Sequence, residues 1–414
     1  MRELFQQSIQ IYLRHRRPLV GVNFCCFYTI SSMALSTVQI LLVLSWMFVC
    51  IACQPVPKNE RKIVCYFYTN HKPYEGDLPP ELNPTLCTHI IFIGTGIVDG
   101  IVKPGMPSDI NMYYKKIPLL KKINPKVKVL LCNGGNFNDV LASAANRAKY
   151  IKSALALLRK YGFDGFDLDF EFPAWYLPKE QKHNFTLLAT ELHDLFAEEA
   201  KKTNQTRLLL TAAVAAIQSI TDASYEVPAL AKALDWINLM VYDLHAFAYY
   251  DPFTGFNSPL YAEPHDSLIY GNRSIVYSGN YWISKGMPKS KVVIGIPLYG
   301  HSYKLLFAFD HGLHAPASDR GPNGGYVNYP DSCQLLKSGA TRVFHEHCKV
   351  PYMYKGKTWI SYDDEQSIQI KVNWIKKNGY PGIMIYNMNA DDYLGKCDGK
   401  TKFPLLKVVN QFRN

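Results

Sequence analysis

The 414-residue sequence predicts an α/β fold of the TIM (β/α)8 barrel type, with a small α+β insertion after the seventh strand. Eight short apolar segments have the length and composition of strands, and segments of helical period such as Tyr150–Tyr161 and His183–Lys202 lie between several of them. Residues 300–378 are too many for one βα connection and are assigned to the insertion. A hydrophobic content of 48% with 19% charged residues excludes a disordered or fibrous chain.

The predicted strands follow one another at intervals that leave room for crossover helices. They are Ile63–Tyr68, His89–Ile93, Val127–Cys132, Gly165–Phe170, Arg207–Val214, Trp236–Tyr242, Val292–Pro297 and Gly382–Tyr386. Such a barrel places its active site at the carboxyl ends of the strands. Within the insertion, the turn Gly321–Gly325 and the strand-like pieces Val350–Tyr354 and Thr358–Tyr362 indicate a small sheet, which we expect to wall one side of a substrate cleft.

The fourth strand carries a regular row of acidic residues. Asp167, Asp169 and Glu171 alternate with apolar residues, so they share one face of the strand at spacings of about 7 Å. On an enclosed face these carboxylates cannot all ionise, which raises at least one pKa toward that of a general acid at neutral pH. The alternatives are a solvated acidic face or a metal loop. Calcium loops place small polar residues between their ligands, whereas Leu168 and Phe170 intervene here.

The segment Asp164–Glu171 matches the DGxDxDxE signature of family 18 glycoside hydrolases, the chitinases and chitinase-like lectins, and the chain resembles their animal members most closely. Further matches follow in the family's order, at Lys62–Phe67, Leu86–His89, Gly134–Gly135, Met240–Asp243 and Gly295–Gly300. The resemblance extends from Lys62 to the C-terminus. It implies a catalytic barrel over residues 62–414 that needs neither a cofactor nor a metal.

The resemblance also implies a role for each acidic residue. Glycoside hydrolysis needs a proton for the leaving oxygen and stabilisation of an oxocarbenium-like centre. Glu171 would be the acid, and spacing alone leaves open whether Asp169 is a nucleophile. In the family the substrate's own 2-acetamido group is the nucleophile. Asp169 would orient that group and would pass a proton between Asp167 and Glu171. Tyr242 and Asp243 would hydrogen-bond the same acetamido group.

This chemistry implies β-1,4-linked N-acetylglucosamine, as chitin or chito-oligosaccharide, for the substrate. The residues that the resemblance places around it are Tyr66, Gly134, Gly135, Met240 and Tyr386. Several positions depart from the family's pattern. Tyr386, Asn136 and His71 stand where tryptophan is usual, and the aromatic residue expected in the second strand is replaced around Ile93-Gly94. Phe170 and Phe172 replace Trp and Tyr, and His301 replaces Arg. These changes favour soluble oligosaccharides over crystalline chitin and leave a secreted chitin-binding lectin as the alternative function.

Residues 1–53 have the features of a secretory leader. Ile40–Ala52 has the length of a signal-peptide apolar region and is followed by Pro55 and Pro57. The segment before it contains Arg14, Arg16 and Arg17, so the leader is either a cleaved signal peptide, with Met33 as a possible start, or an uncleaved anchor. We therefore expect a secreted, monomeric protein that contacts the membrane only if its leader remains.

The cysteines fit the same compartment. Four of the ten lie in the leader, and the resemblance implies the bridges Cys65–Cys87 and Cys333–Cys397, while Cys132 and Cys348 have no family partner. Among the six cysteines after the leader no CxxC spacing occurs, so no thiol metal site is expected there. Asn184, Asn204 and Asn272 are acceptor sequons for a secreted chain. The net charge of +11 is scattered and accompanies no nucleic-acid motif, so no nucleic-acid partner is expected.

Overall fold

The computed structural model describes residues 61–69, 74–263 and 272–413; the leader 1–53 and His71 lie outside them. The described strands are β1 (Lys62–Tyr68), β2 (His89–Ile93), β3 (Thr95–Val98), β4 (Ile101–Pro104), β5 (Lys128–Gly134), β6 (Gly165–Asp169), β7 (Leu209–Ala215), β8 (Trp236–Met240), β9 (Val292–Pro297), β10 (Tyr299–Leu305), β11 (Ala317–Arg320), β12 (Tyr326–Asn328), β13 (Thr341–His345), β14 (Val350–Lys355), β15 (Thr358–Ser361) and β16 (Gly382–Tyr386).

Eight of these strands close into a parallel barrel, in the order β1-β16-β9-β8-β7-β6-β5-β2. The predicted TIM barrel is therefore confirmed. Each of the eight predicted strands is present, and His89–Ile93, Val292–Pro297 and Gly382–Tyr386 have the predicted bounds. Neighbouring strands align Asp167 of β6 with Cys132 of β5 and with Thr211 of β7, so these three side chains face the barrel interior.

Helices cover the outside of the barrel, and one further helix, Tyr329–Lys337, packs on the insertion sheet. The described helices are α1 (Asp109–Met112), α2 (Ile117–Ile123), α3 (Asn138–Leu141), α4 (Ala144–Tyr161), α5 (Gln181–Thr203), α6 (Gln218–Ser224), α7 (Val227–Ala233), α8 (Ile275–Ser284), α9 (Tyr329–Lys337), α10 (Glu365–Lys377) and α11 (Pro404–Asn410). The side chain of Ser143 caps α4 by accepting a hydrogen bond from the Asn146 N–H, and Gly162 ends the helix with a φ of 75°. Tyr150 on its buried face contacts the Phe166 ring of β6, so the apolar residues of β6 face the helices.

The two ends of the acidic motif have different roles. Asp164 precedes β6, accepts a hydrogen bond from the Val129 N–H at 2.8 Å and pairs with Lys121 and Lys128 at 2.9 and 3.6 Å. These contacts tie the amino end of the strand to its neighbours. Glu171 follows the other end of β6, where barrel active sites lie.

A second sheet follows β9, in the order β11-β10-β15-β14-β13 with β12 paired to β10. It spans 299–361 and has its own core around Tyr303, Leu305 and Trp359. This is the predicted insertion after the seventh barrel strand. The sheet ends before the expected boundary at residue 378, because α10 packs its buried face against the barrel core.

Two disulfides join distant parts of the described chain. Cys65 is bonded to Cys87 and Cys333 to Cys397, which are the pairings that the family resemblance implied. Cys132 and Cys348 are buried and are not disulfide-bonded. Among the described helices, none has the length and apolar character needed to span a membrane.

Candidate active site

A cavity of about 440 Å³ opens at the carboxyl ends of the barrel strands. The strand ends bring together many of the residues that the sequence predicted for the site. The cavity wall includes Tyr66, Asp169, Glu171, Met240, Tyr242, Asp243 and Tyr386. Volumes of this size are ordinary for small-molecule sites, and the barrel supplies a pre-formed wall.

Asp167 lies beneath the cavity, fully buried, in a complete hydrogen-bond network. Its Oδ2 accepts from the Tyr66 hydroxyl at 2.7 Å, and its Oδ1 accepts from the Thr211 hydroxyl and from the Asn238 amide at 3.1 Å. Burial raises the pKa of Asp167 to about 6, although the hydrogen bonds from Thr211 and Tyr66 favour the charged form and oppose that rise. The carboxyl can therefore hold or release a proton near neutral pH.

Asp169 is the next inward residue of β6. Its Oδ1 is buried and has no hydrogen-bond donor among the described residues. Burial, followed by the charges of Glu171 and Asp167, raises the pKa of Asp169 well above its usual value. A Cβ at Gly134 would lie 3.2 Å from the Asp169 carbonyl oxygen and 3.5 Å from its Oδ2, so the predicted glycine permits the close approach of β5. Asp169 Oδ1 is thus a buried acceptor without a donor among the described residues.

Glu171 is the outermost of the three acidic residues and lies at the cavity opening, where its side chain is exposed. Although its carboxyl faces the opening, desolvation by the surrounding walls raises its pKa, and the charge of Asp243 adds to that rise. The same two causes favour the protonated form. A protonated carboxyl facing a cavity can give its proton to a bound ligand.

Asp243 is fixed from several sides. Its backbone has a φ of 55°, and its N–H donates to Asn257 Oδ1 at 2.8 Å. Its Oδ1 accepts from the Tyr299 hydroxyl at 2.5 Å and lies 2.7 Å from His301 Nε2. The other ring nitrogen of His301 lies 3.1 Å from the Gly325 carbonyl oxygen. His301 therefore holds Asp243 where the family usually has an arginine.

Tyrosines form the aromatic floor of the cavity. The Tyr386 ring centroid lies 5.9 Å from that of Tyr66, 5.6 Å from that of Tyr242 and 6.1 Å from that of Tyr299. Tyr326 stacks on Tyr299 at 4.4 Å, with ring planes 18° apart. Sugar rings bind such faces through their apolar sides, so the floor suits a saccharide.

Gly135 and its neighbour Asn136 do not line the cavity. Gly135 is exposed with a φ of 98°, and the Asn136 side chain accepts a hydrogen bond from the Asn138 N–H at 2.8 Å, so Asn136 closes a local turn.

Sequence reasoning missed two residues of the site, Thr211 and Asn238. Their signal was an isolated polar residue inside an otherwise apolar strand, where a buried polar group needs a partner.

The family profile described as Glycosyl hydrolases family 18 matches residues 62–391, the part of the chain that contains the barrel and this site. The chain belongs to family 18. The match includes the acidic strand and both halves of the cavity wall, and it confirms the resemblance stated from the motifs.

Relatives within family 18 cover nearly the whole chain. Chitotriosidase-1 from Mus musculus is 36% identical over 398 residues, covering 93% of this chain and 82% of the relative. Chitinase-3-like protein 2 from Homo sapiens is 38% identical over 365 residues, covering 84% and 92%.

Solved structures of family 18 agree with the fold. An immunomodulatory active chitinase from Trichuris suis superimposes with a TM-score of 0.80 at 37% identity, covering 86% of this chain and all of the other. Human YKL-39, described as a pseudo-chitinase with retained chitooligosaccharide binding properties, has a TM-score of 0.79 at 36% identity and covers 85% and 99%. Similarity alone therefore does not separate hydrolysis from binding, and the residues of the site must do so.

Proposed function

We propose that this protein is a secreted, endo-acting chitinase that hydrolyses β-1,4-linked N-acetylglucosamine polymers or oligomers. The observation that carries the proposal is Glu171, a carboxyl with a raised pKa at the cavity mouth, above the row of Asp169 and Asp167. An endochitinase from Brugia malayi, 36% identical over 368 residues, supports the same reaction class. A binding protein has no need for this acid.

In the proposed mechanism Glu171 protonates the glycosidic oxygen while the substrate's own acetamido oxygen attacks the anomeric carbon. The glycosidic bond breaks and a cyclic oxazolinium ion forms. The unpaired Oδ1 of Asp169 accepts the acetamido N–H, and the Tyr242 hydroxyl and Asp243 hold the acetamido group from the other side. The Glu171 carboxylate then takes a proton from water, whose oxygen attacks the anomeric carbon and reopens the ring. Two inversions give a β product.

Asp167 and Asp169 keep this cycle balanced. When Glu171 becomes a carboxylate, the protonated form of Asp169 is favoured, because adjacent buried carboxylates cannot both ionise cheaply. Asp167, with its pKa of about 6 and its hydrogen bonds from Tyr66 and Thr211, is suited to share a proton with Asp169. The proposed role of Asp167 is therefore to position and neutralise Asp169.

Secretion is the second part of the proposal. We propose that the leader 1–53 directs the chain to the secretory pathway and that the mature protein begins near Cys53 or Gln54. The two disulfides support an oxidising compartment. N-terminal sequencing of protein from the medium tests this; an intact leader on membrane-bound protein would instead support the anchor.

A chitin-binding lectin is the second candidate function. It is favoured by the tyrosine floor and by Asn136, which replaces a ring with a turn-forming amide. On this alternative the cavity binds chito-oligosaccharide without turning it over. The retained Glu171 and Asp169 favour the enzyme.

The test is turnover of a fluorogenic chitotriose by the secreted protein, combined with calorimetric binding of unlabelled oligosaccharide. Release of fluorophore with saturation supports the chitinase. Binding without release across pH 4 to 8 would establish the lectin instead. The initial sugar product, followed by NMR, should be the β anomer.

A further inference from the structure

The turn between β13 and β14 lies against a segment that follows the barrel strand β8. The Leu260 N–H donates to the Cys348 carbonyl oxygen at 2.9 Å, and His347 Nε2 lies 2.9 Å from the Ala262 carbonyl oxygen. These contacts place the side chain of Glu263, from the barrel segment, beside His345 and Cys348 of the turn. The cluster stands apart from the residues that line the catalytic cavity.

Three different ligand types converge in this cluster. Glu263 Oε2 lies 3.3 Å from His345 Nε2 and 3.6 Å from Cys348 Sγ, and one ligand atom from each residue falls within 4.8 Å of the others. Cys348 is 1% exposed, and the Glu263 and His345 side chains are 21% and 26% exposed. The cluster is thus enclosed at the thiol and open to solvent at the other two groups.

The two separations from Glu263 Oε2 fit a single tetrahedral ion. With zinc bonds of about 2.0–2.3 Å, two ligand atoms at a tetrahedral angle stand about 3.3–3.8 Å apart. Thiolate, imidazole and carboxylate together suit zinc, whereas calcium and magnesium take oxygen ligands. We propose that Glu263, His345 and Cys348 bind a zinc ion. The CxxC spacing sought in the sequence does not apply, because Glu263 and Cys348 are 85 residues apart.

The surroundings supply a place for a fourth ligand. A cavity of about 30 Å³ borders Glu263 and Cys348, which is room for one water molecule. Thiolate and carboxylate together balance a divalent charge. Arg273 lines the same small cavity. His245 and His314 are the other titratable groups on this wall.

Zinc binding breaks one hydrogen bond of the turn. His345 Nδ1 accepts the Cys348 N–H at 3.2 Å. With zinc on Nε2 the ring proton resides on Nδ1, so the turn gives up that contact. The site therefore has lower affinity than four-ligand structural zinc sites. Its effect is to link the barrel segment at Glu263 to the insertion sheet, which stabilises the folded protein in proportion to zinc occupancy.

The experiment uses the purified secreted protein after dialysis against chelator. Titration with zinc chloride should show one site per chain by calorimetry and raise the unfolding temperature. Calcium and magnesium should do neither. Cobalt(II) in place of zinc should give tetrahedral visible absorption and a sulfur-to-cobalt charge-transfer band, which reports the Cys348 thiolate directly.

Two variants separate a metal site from a hydrogen-bonded cluster. Cys348→Ser keeps a donor to Glu263 but removes the thiolate, so it should weaken zinc binding by at least about tenfold and abolish the sulfur-to-cobalt band. Glu263→Gln should weaken binding without removing that band. His193→Gln, which changes a histidine of α5 outside the cluster, should bind like wild type. No zinc binding by wild type at micromolar metal, or equal binding by Cys348→Ser, would overturn the proposal.

Discussion

Asp167 shows how a single buried carboxyl depends on its neighbours. It has no solvent contact, and three side chains on different strands, Tyr66, Thr211 and Asn238, donate hydrogen bonds to it. Those bonds compensate only part of the desolvation, so its pKa remains raised, at about 6. The buried Asp167 carboxylate therefore lowers the stability of the folded protein at neutral pH.

That penalty predicts a pH-dependent effect of Asp167→Asn. The folded pKa lies above the ordinary 3.8, so the folded state binds the proton more tightly, and stability falls as pH rises from about 4 to 6 and stays low above that range. The amide does not titrate. Relative to wild type, the variant should gain about 2 kcal/mol in free energy of unfolding between pH 4.5 and pH 7.5, measured by urea denaturation. A constant difference between the two proteins would contradict the assignment.

The site was predictable to the extent that its residues form a motif. Asp167, Asp169 and Glu171 follow from period-two alternation, because a strand puts alternate side chains on one face. Thr211 and Asn238 could not be predicted in this way, because their strands are distant in sequence and only barrel closure brings them to Asp167. The pairing of His301 with Asp243 likewise depends on the geometry after β9.

Tyr386 sets the size of the aromatic floor and gives a second prediction. Tyr386→Trp adds apolar ring area of the kind that stabilises stacking, about 1 kcal/mol or a fivefold gain in affinity for chito-oligosaccharide. The gain should appear in calorimetry and in retention on insoluble chitin. Tyr176→Trp is the matched control, because Tyr176 is 91% exposed and outside the cavity. Equal retention of both variants would show that the floor does not limit binding.

At the scale of elements, α10 connects the insertion to the barrel. Asp364 caps this helix: its Oδ1 accepts the Ser367 N–H at 3.0 Å, and the Ser367 hydroxyl accepts the Asp364 N–H at 3.0 Å. Asp364 also accepts a hydrogen bond from Arg342 of β13 at 2.8 Å. One side chain thus fixes the helix start and one edge of the second sheet.

We therefore predict that Asp364→Ala lowers the free energy of unfolding by about 1–2 kcal/mol, mainly through the lost cap. Chitotriose turnover should be unchanged, because Asp364 and Ser367 do not line the cavity. Glu365→Ala, at the next and exposed position, should shift stability by less than about 0.5 kcal/mol. Equal losses of stability in the two variants, measured by thermal unfolding, would show that the Asp364 cap does not stabilise the protein.

The elements also show where sequence patterns stop being informative. Barrel strands such as Val292–Pro297 are continuous apolar runs bounded by turns, and this pattern predicted their positions from the sequence. The hairpin of β3 and β4 was missed, since its strands of four residues are too short to show a period. The helix α10 was assigned to the insertion because its amphipathic pattern does not say which surface it covers.

At the scale of the molecule, Cys333–Cys397 joins α9 of the insertion to the segment before α11. It closes a loop with a sequence separation of 64 residues, which limits the freedom of the unfolded chain. Replacing both cysteines by serine should lower the free energy of unfolding by about 3–4 kcal/mol, measured with guanidinium. An unchanged midpoint, with both thiols found free in wild type by non-reducing peptide mapping, would exclude the bridge.

The barrel and the insertion together define an open cavity. In the proposed mechanism Glu171 at its mouth is the acid, Asp169 and Asp167 below it share a proton, and the tyrosine floor holds the sugar. That mechanism predicts that removing the transferable proton while preserving shape separates catalysis from binding.

The most direct measurement compares Glu171→Gln with wild type in both chitotriose turnover and calorimetric affinity. General acid catalysis contributes about 10²–10⁴-fold, so turnover should fall by that factor or more, while the dissociation constant should change by only a few-fold. Glu180→Gln, an exposed glutamate on the connection after β6, is the control and should match wild type in both. Turnover by Glu171→Gln within a few-fold of an active wild type would contradict the assignment of Glu171 as the acid.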